Sequence, residues 1–400
     1  MGKTKPRILM VGALPPPSIG PFVAMQRLIE SPVLNEAFTI DFLDISDRRA
    51  PSNIGRFEWV NLLLGIKHAF QCLGRLLFRP PEVVYVGISQ GTWGYLRDLV
   101  FIIPALCLRR PVVLHLRGSE FRTFYEEMPG WLRWLTRRVL SRTARMIVLG
   151  DNLRHIFDGL INPDRVVAIP NGIDSQAFAP PRAAAEHPPG KRILYLSSLK
   201  KEKGLFVLLE ALPAVLAQHG DAVLTIAGLW QSEAQRSEAE AFITRLGLQA
   251  KVTFIGEVTG AKKILVFHAH DIFVFTPIAP EGLPWVILEA MSAGLPVVTA
   301  DQGAIAEVVE PDKTGFIVSP NPQTVAQSIV FLLDHPGEAR IMGERGRKRV
   351  LENFSEAVYL AKLMAVFGEA AQRIDGKIAP PQRSGSVAPG PAKQTARRLD

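Results

Sequence analysis

The apolar positions of the chain fall into two series of short β-branched runs, separated by segments of helical length. The first series reads RILMVG, FTIDFLD, VVYVGI, VVLHL, RMIVLG and VVAIP; the second reads RILYLSSL, AVLTIAG, KVTFIG, DIFVFTP, PVVTA and GFIV. Strands that alternate with helix-length spacers make βα units and parallel sheets, so the pattern predicts an α/β chain of two doubly wound, Rossmann-like domains. Two open sheets facing each other hold ligands outside the carboxyl ends of their strands, which here is the cleft between the domains.

The stretch AFAPPRAAAEHPPGK, residues 177–191, is rich in Pro and Ala, lacks periodicity and reads as a linker. It divides an N-terminal domain, 1–176, from a C-terminal domain, 192–354. SEAVYLAKLMAVFGEAAQRI then reads as a helix capped by Ser355, placing a closing helix at 355–375. Residues 376–400 are basic and rich in Pro, Gly and Ser, the composition of a disordered tail.

Length and composition agree with two globular cores: 400 residues, 48% hydrophobic and 21% charged. The most apolar long segment, WVNLLLGIKHAFQCLGRLLF, is interrupted by Lys67, His68 and Arg75, so no transmembrane helix is expected. The brief apolar run after the first residues makes a poor signal peptide. Cys72 and Cys107 read as reduced thiols of a cytoplasmic protein, and no Cys/His cluster has metal-ligand spacing. The net charge of +8 is uneven: residues 1–180 hold 22 Lys/Arg against 15 Asp/Glu, whereas 181–376 hold 19 against 22.

The chemistry concentrates in PEGLPWVILEAMSAGLPVV, residues 280–298, which follows the run DIFVFTP. Pro284 suits the first turn of a helix, whose end is marked by Gly294. Its N-terminus faces the cleft, and the unpaired amides around Gly282 and Leu283 make a site for a phosphate. Glu281 stands on the loop before the helix. Glu289 lies about a turn and a half inside it, where a carboxylate can accept from both hydroxyls of a ribose. Phosphate donors flanked by two carboxylates describe a nucleotide-sugar site.

This block, with seven residues between Glu281 and Glu289, resembles the E-x7-E motif of family 4 retaining glycosyltransferases of the GT-B fold. The resemblance continues through GAIAEVVEPDKTGFIV downstream and VVAIPNGID and KKEKG upstream. It implies that Glu281 contacts the transferred sugar, that Glu289 holds the ribose and that Lys203 neutralises the diphosphate. It further implies a metal-independent, configuration-retaining transfer without a cofactor, from a UDP- or GDP-sugar to a hydroxyl of a cell-surface glycan or lipid-linked acceptor.

The chain departs from the family pattern in places. Ser198 stands where a second diphosphate ligand, arginine, is usual, leaving Lys200 or Lys201 to substitute. Gly20 occupies the place of the family's glycine loop beside the donor diphosphate, yet the usual second glycine is Pro21; a plain helix start is the alternative. The family often places a histidine near the sugar and acceptor at the end of the fourth strand, which points to His115. In the other alignment Arg117 takes that place, and His115 is a buried, hydrogen-bonded strand residue. Under either, Arg117, Glu120 and Arg122 line the acceptor side. Asn171 and Gly172 read as a turn without chemistry.

GWLRWLTRRVLSRTAR, residues 130–145, sets Trp131 and Trp134 among five arginines. This is the composition of a helix resting on an anionic bilayer, so a peripheral position on the inner face of the cytoplasmic membrane is expected; the bland alternative buries the tryptophans. No nucleic-acid-reading motif accompanies the sequence pI of about 9.6, and no GxGxxG follows the first strand as a dinucleotide enzyme requires. A protein that binds a sugar nucleotide without transferring it is the rival reading, kept open by Ser198.

Overall fold

The computed structural model describes residues 5–16, 19–46, 59–179 and 190–372. Most of the expected linker and the 376–400 tail lie outside them. The first sheet contains β1 (Arg7–Gly12), β2 (Thr39–Asp44), β3 (Val83–Ile88), β4 (Val112–Leu116), β5 (Arg145–Val148) and β6 (Val166–Ala168) in the order β2-β1-β3-β4-β5-β6. The second contains β7 (Arg192–Leu196), β8 (Val223–Ala227), β9 (Val252–Gly256), β10 (Ile272–Phe275), β11 (Val297–Thr299) and β12 (Gly315–Ile317) in the order β12-β11-β10-β7-β8-β9. Every pairing in both sheets is parallel. The expected two doubly wound sheets are therefore present, built from the twelve apolar runs.

Strand order reverses between β1 and β3 in the first sheet and between β7 and β10 in the second. At such a reversal the connections on either side leave in opposite directions and open a crevice at the carboxyl edge. The apolar run RILYLSSL illustrates the local consequence: its strand stops at Leu196, and the serines that follow belong to the crevice loop.

The connections β2 to β3, β3 to β4 and β4 to β5 step across the first sheet in one direction. Right-handed crossovers therefore stack their helices on one face. These are Trp59–Phe78, Thr92–Cys107 and the pair Phe121–Glu127 and Gly130–Leu140. The connection from β1 steps the other way and puts Gly20–Glu30 and Pro32–Ala37 on the opposite face.

That second face is completed by a helix from the far end of the chain. Glu356–Gln372 buries Tyr359, Leu360, Leu363, Val366, Phe367 and Ala370, an i, i+3/i+4 stripe, against Ile8, Met10 and Tyr85 of the first sheet. Phe367 meets Tyr85 and Phe38 edge-on, with ring centroids 5.6 and 6.0 Å apart. The helix start is held by Ser355, whose Oγ accepts from the Val358 amide at 3.4 Å, and by Glu356, whose amide donates to the Ile173 carbonyl at 2.8 Å.

Under this helix runs a chain of polar contacts. Arg117 donates from Nη2 to Tyr85 Oη (3.3 Å) and Tyr359 Oη (3.1 Å), and Tyr85 Oη lies 2.8 Å from His115 Nδ1. The direction of the proton between Tyr85 Oη and Nδ1 follows the tautomer that His115 adopts. Burial, and then the Arg117 charge, hold the His115 pKa well below its ordinary value.

Two predictions follow from this packing. Phe367→Ala should cost about 3–5 kcal/mol in unfolding free energy, the usual range for emptying a buried aromatic site, measurable by denaturant unfolding. His115 carries a folded pKa below its unfolded one, so the unfolded chain takes up the proton first on acidification. The neutral form's contribution is intact above about pH 6.5 and is lost as pH falls from there toward the folded value. In denaturant melts from pH 7.5 to pH 5, His115→Gln should flatten the decline by up to about 1.4 kcal/mol per pH unit. His68, His268 and His270, also lowered by burial, should leave a residual slope.

Candidate active site between the two sheets

The crevice of the second sheet is flanked by the loops that leave β7 and β10. After β7 the chain makes a single 3-10 turn, Lys201–Lys203, and ends it at Gly204 with φ +82°. A Cβ at Gly204 would overlap the Thr276 carbonyl at the end of β10, so glycine is needed for both the conformation and the contact. The Lys203 carbonyl accepts from the fully buried Tyr195 hydroxyl at 2.9 Å, and burial pushes the phenol pKa up and keeps it a donor. The Ile278 amide donates to the Glu202 carbonyl at 3.0 Å. The two loops form one unit, and across it Lys203 Nζ makes an ion pair with Glu281 Oε1.

Pro284 is the residue before the helix Trp285–Ser292 rather than its first turn, because its ψ of 127° is extended. Gly294, at φ +83°, follows the helix end in the left-handed region as expected for a C-terminal glycine. The Gly282 carbonyl accepts from the Ala304 amide at 2.8 Å, whereas the amides of Gly282 and Leu283 donate to no acceptor among the described residues. These amides and the first helical turn make a cluster of positive partial charge.

Glu289 is only 4% exposed. Lys263, on the helix Gly260–His268 that follows β9, brings its Nζ to 2.5 Å from Glu289 Oε2. The two form a largely buried ion pair within the second domain. Lys263 was not among the residues singled out from the sequence. In GAKKILVFH it looks like half of an ordinary surface lysine pair.

The first domain reaches these loops and their surroundings through Arg117, Asn171, Asn152 and Arg27. The backbone at Gly282 passes so close to the Arg117 carbonyl that a Cβ there would overlap it. Asn171, buried, accepts from Arg117 Nη1 at 3.1 Å and donates to the Leu283 carbonyl at 2.8 Å. Asn152 donates from its backbone to Glu307 Oε1 and from its side chain to the Gly303 carbonyl, both at 2.6 Å. On the other side of the helix start, the Arg27 guanidinium stacks 4.5 Å from the Trp285 ring centroid. Asn171 therefore has a bridging role that the reading of a plain turn did not include.

The remaining sequence candidates divide. Gly20 opens its helix opposite Trp285, with the indole Cδ1 3.9 Å from where a Cβ would stand. Ser198 is exposed beside the Lys201–Lys203 turn; of the two lysines able to substitute for the usual arginine, Lys201 is engaged by Glu238 at 2.7 Å, while Lys200 is exposed. His115 is fully buried beneath Arg117, as in the second of the two alignments, and presents no surface to the cleft. Glu120 is exposed, and its amide donates to Gln90 Oε1 at 2.6 Å. Arg122 is engaged by Glu126 at 2.7 Å and by the Asp158 carbonyl at 2.9 Å, both within the first domain. No group of three or more His, Cys, Asp or Glu is placed to hold a metal among the described residues.

Residues 181–349 match the model of the glycosyl transferases group 1 family. Over 184 residues the chain is 32% identical to spore coat protein SA of Bacillus subtilis, an overlap of 44% of this chain and 49% of that protein. Over 170 residues it is 33% identical to the phosphatidyl-myo-inositol mannosyltransferase of Mycobacterium leprae, covering 42% and 44%. The chain spans about half the length of the curated relatives it matches. Likeness of structure runs nearly end to end. A glycosyltransferase from Rickettsia africae superposes with a TM-score of 0.74 at 18% identity, covering 92% of this chain and 98% of that one. The Anabaena protein HepE in complex with UDP superposes with a TM-score of 0.69 at 19% identity, covering 93% and 100%. The architecture is GT-B, and residues 181–349, which carry Lys203, Glu281 and Glu289, are the part of the chain that matches the glycosyl transferases group 1 family.

Proposed function

We propose that the protein is a retaining hexosyltransferase. It would move a sugar from a UDP- or GDP-linked donor to a hydroxyl of a cell-surface glycan or lipid-linked acceptor, on the cytoplasmic side of the membrane. One observation carries the reading. Lys203, Glu281 and the amides of Gly282 and Leu283, which have no acceptor among the described residues, converge at the reversal of strand order, with the Glu289–Lys263 ion pair in the adjoining helix. The relative that is named as a mannosyltransferase and the neighbour solved with UDP support it.

In this reading the donor diphosphate lies on the Gly282 and Leu283 amides, and Lys203 turns from Glu281 to it. Glu281 is thereby left to accept from a sugar hydroxyl, and Glu289 accepts from the ribose diol beside Lys263. The bond between the anomeric carbon and the diphosphate oxygen breaks as the acceptor oxygen bonds to that carbon on the same face. The acceptor proton passes to the departing phosphate oxygen. Lys203 and the helix N-terminus supply the positive charge that meets the departing diphosphate, so the chemistry calls for no metal or cofactor. His115 plays no direct part; of the acceptor-side candidates, Arg117 meets the donor loop, through its backbone carbonyl against Gly282 and its guanidinium on Asn171.

A second reading, binding of a sugar nucleotide without transfer, draws on Ser198 and on the engagement of Lys201 by Glu238, which leave fewer cations for the diphosphate. Titration calorimetry with UDP, GDP and their hexoses, followed by nucleotide-release assays with lipid-linked and glycan acceptors, separates the two. One nucleotide should bind at micromolar strength, and Lys203→Ala and Glu289→Ala should each weaken it about 10- to 100-fold, the size of a lost charged hydrogen bond. Failure of the intact protein to bind either nucleotide would refute both readings; binding with no release by any acceptor would favour the second.

A further inference from the structure

The helices stacked on the outer face of the first sheet leave a large apolar surface exposed. On Trp59–Phe78, the positions Ile66, Phe70, Leu73 and Leu77 recur at i, i+4, i+7 and i+11 and so form one stripe, with Phe70 72% exposed. The neighbouring helix Thr92–Cys107 exposes Trp93 and Val100, one face apart by two turns. Beyond it, Gly130–Leu140 turns Leu132, Thr136, Val139 and Leu140 into the core and exposes Trp131 at 60% and Trp134 at 66%. The tryptophans therefore point outward, against the alternative in which they fill the core. Scattered exposed apolar residues are ordinary; three adjacent helices that each present an apolar stripe are not.

The charge on these three helices has one sign; on the same face Phe121–Glu127 exposes Glu126, paired with Arg122, and Glu127. Trp59–Phe78 and Gly130–Leu140 contain no Asp or Glu, and the one acid of Thr92–Cys107, Asp98, is buried with Arg97 and the Ser89 amide as partners. Lys67, Arg133, Arg137 and Arg138 are exposed among the apolar side chains. A second copy of the chain placing this face against itself would bring cations together in a low-dielectric contact. An anionic bilayer instead receives tryptophan and phenylalanine at the depth of the headgroups and pairs arginine with lipid phosphate. Trp93 begins its helix at the carboxyl edge of the sheet, so the surface extends to the rim of the cleft. No helix among the described residues is long and apolar enough to cross a membrane, which leaves contact with its surface.

From these observations we infer that helices 59–78, 92–107 and 130–140 together form a docking face for an anionic lipid bilayer, wider than the 130–145 segment the sequence suggested. The inference goes beyond the proposed transfer and does not depend on the donor chemistry. Its test is co-sedimentation of the full chain with vesicles of equal parts phosphatidylcholine and phosphatidylglycerol, beside vesicles of phosphatidylcholine alone, at low and high salt. The protein should bind the anionic vesicles and release them as salt rises. Trp131→Ala with Trp134→Ala, and separately Phe70→Ser with Leu77→Ser, should each lower the bound fraction about tenfold, with circular dichroism and nucleotide binding unchanged. Absence of binding to the anionic vesicles, or binding that survives both paired substitutions, would overturn it. So would light scattering showing a dimer that the same substitutions break, which would assign the face to self-association.

Discussion

Asn171 is a bridge between the two domains at the start of the cleft helix, and the placing of that helix depends on it. Its side chain is a donor at one end and an acceptor at the other, and both ends are used: the first domain's Arg117 gives to it, and it gives to the Leu283 carbonyl in the second. Leu283 immediately precedes Pro284 and the helix whose amides face the cleft, so a first-domain side chain helps set the direction of that peptide. Tyr359 adds a third participant through the same guanidinium, from a helix more than 240 residues further along. Asparagine suits the position physically: an aspartate could not donate to Leu283, and a buried carbonyl left without its partner costs about 1–3 kcal/mol. The spacing of the domains over Gly282 thus involves one amide that reads a group on either side, beside the Asn152 and Arg27 contacts.

Within the second domain the two carboxylates are each accompanied by a lysine, Glu281 by Lys203 and Glu289 by Lys263. Partly buried ion pairs contribute little net stability, since desolvation offsets most of their attraction. In the proposed transfer their value is exchange: a diphosphate is a stronger partner for Lys203 than one carboxylate, and accepting it releases Glu281 for a neutral hydroxyl. Lys263 balances the charge of Glu289, which in the same reading accepts from the ribose diol. Lys203 arrives on a turn fixed by Gly204 against Thr276 and by the Tyr195 hydroxyl on its carbonyl, so its position does not rely on the ligand.

Much of this was legible in the chain because it is written in local terms. The strands are short β-branched runs, the helix after Pro284 ends at a glycine, and Glu281 and Glu289 lie within one element, so periodicity and turn chemistry identify them. Contacts between distant segments leave no such mark. Lys263 meets Glu289 only after β9 and β10 are placed in one sheet; Arg27 meets Trp285 only once the two sheets face each other. Asn171 in PNGID has the composition of a turn, and its two long-range bonds cannot be read from its neighbours. His115 shows the same limit from the other side: its position in VVLHL is compatible with a strand end open to the cleft, and only the crossing of the terminal helix, with Tyr359 and Phe367, covers that face of β4.

The distribution of charge fits this division of labour. Residues 181–376 hold fewer basic than acidic groups, 19 against 22, although the proposed donor carries a diphosphate. Attraction over that half must therefore be local, and Lys203 and the open helix end provide it within a few ångströms, where salt screens little. The first 180 residues hold the basic excess, 22 against 15, and a share of it lies on the outer helices among exposed tryptophans. A long-range positive field on the donor domain would bind any polyanion; restricting it to the outer face of the other domain attracts extended anionic surfaces there and leaves selection in the cleft to shape and hydrogen bonds. The terminal helix is what permits this arrangement. By covering one face of the first sheet with residues that follow the second domain, it ties the domains together on that side and leaves the opposite face available to the surroundings.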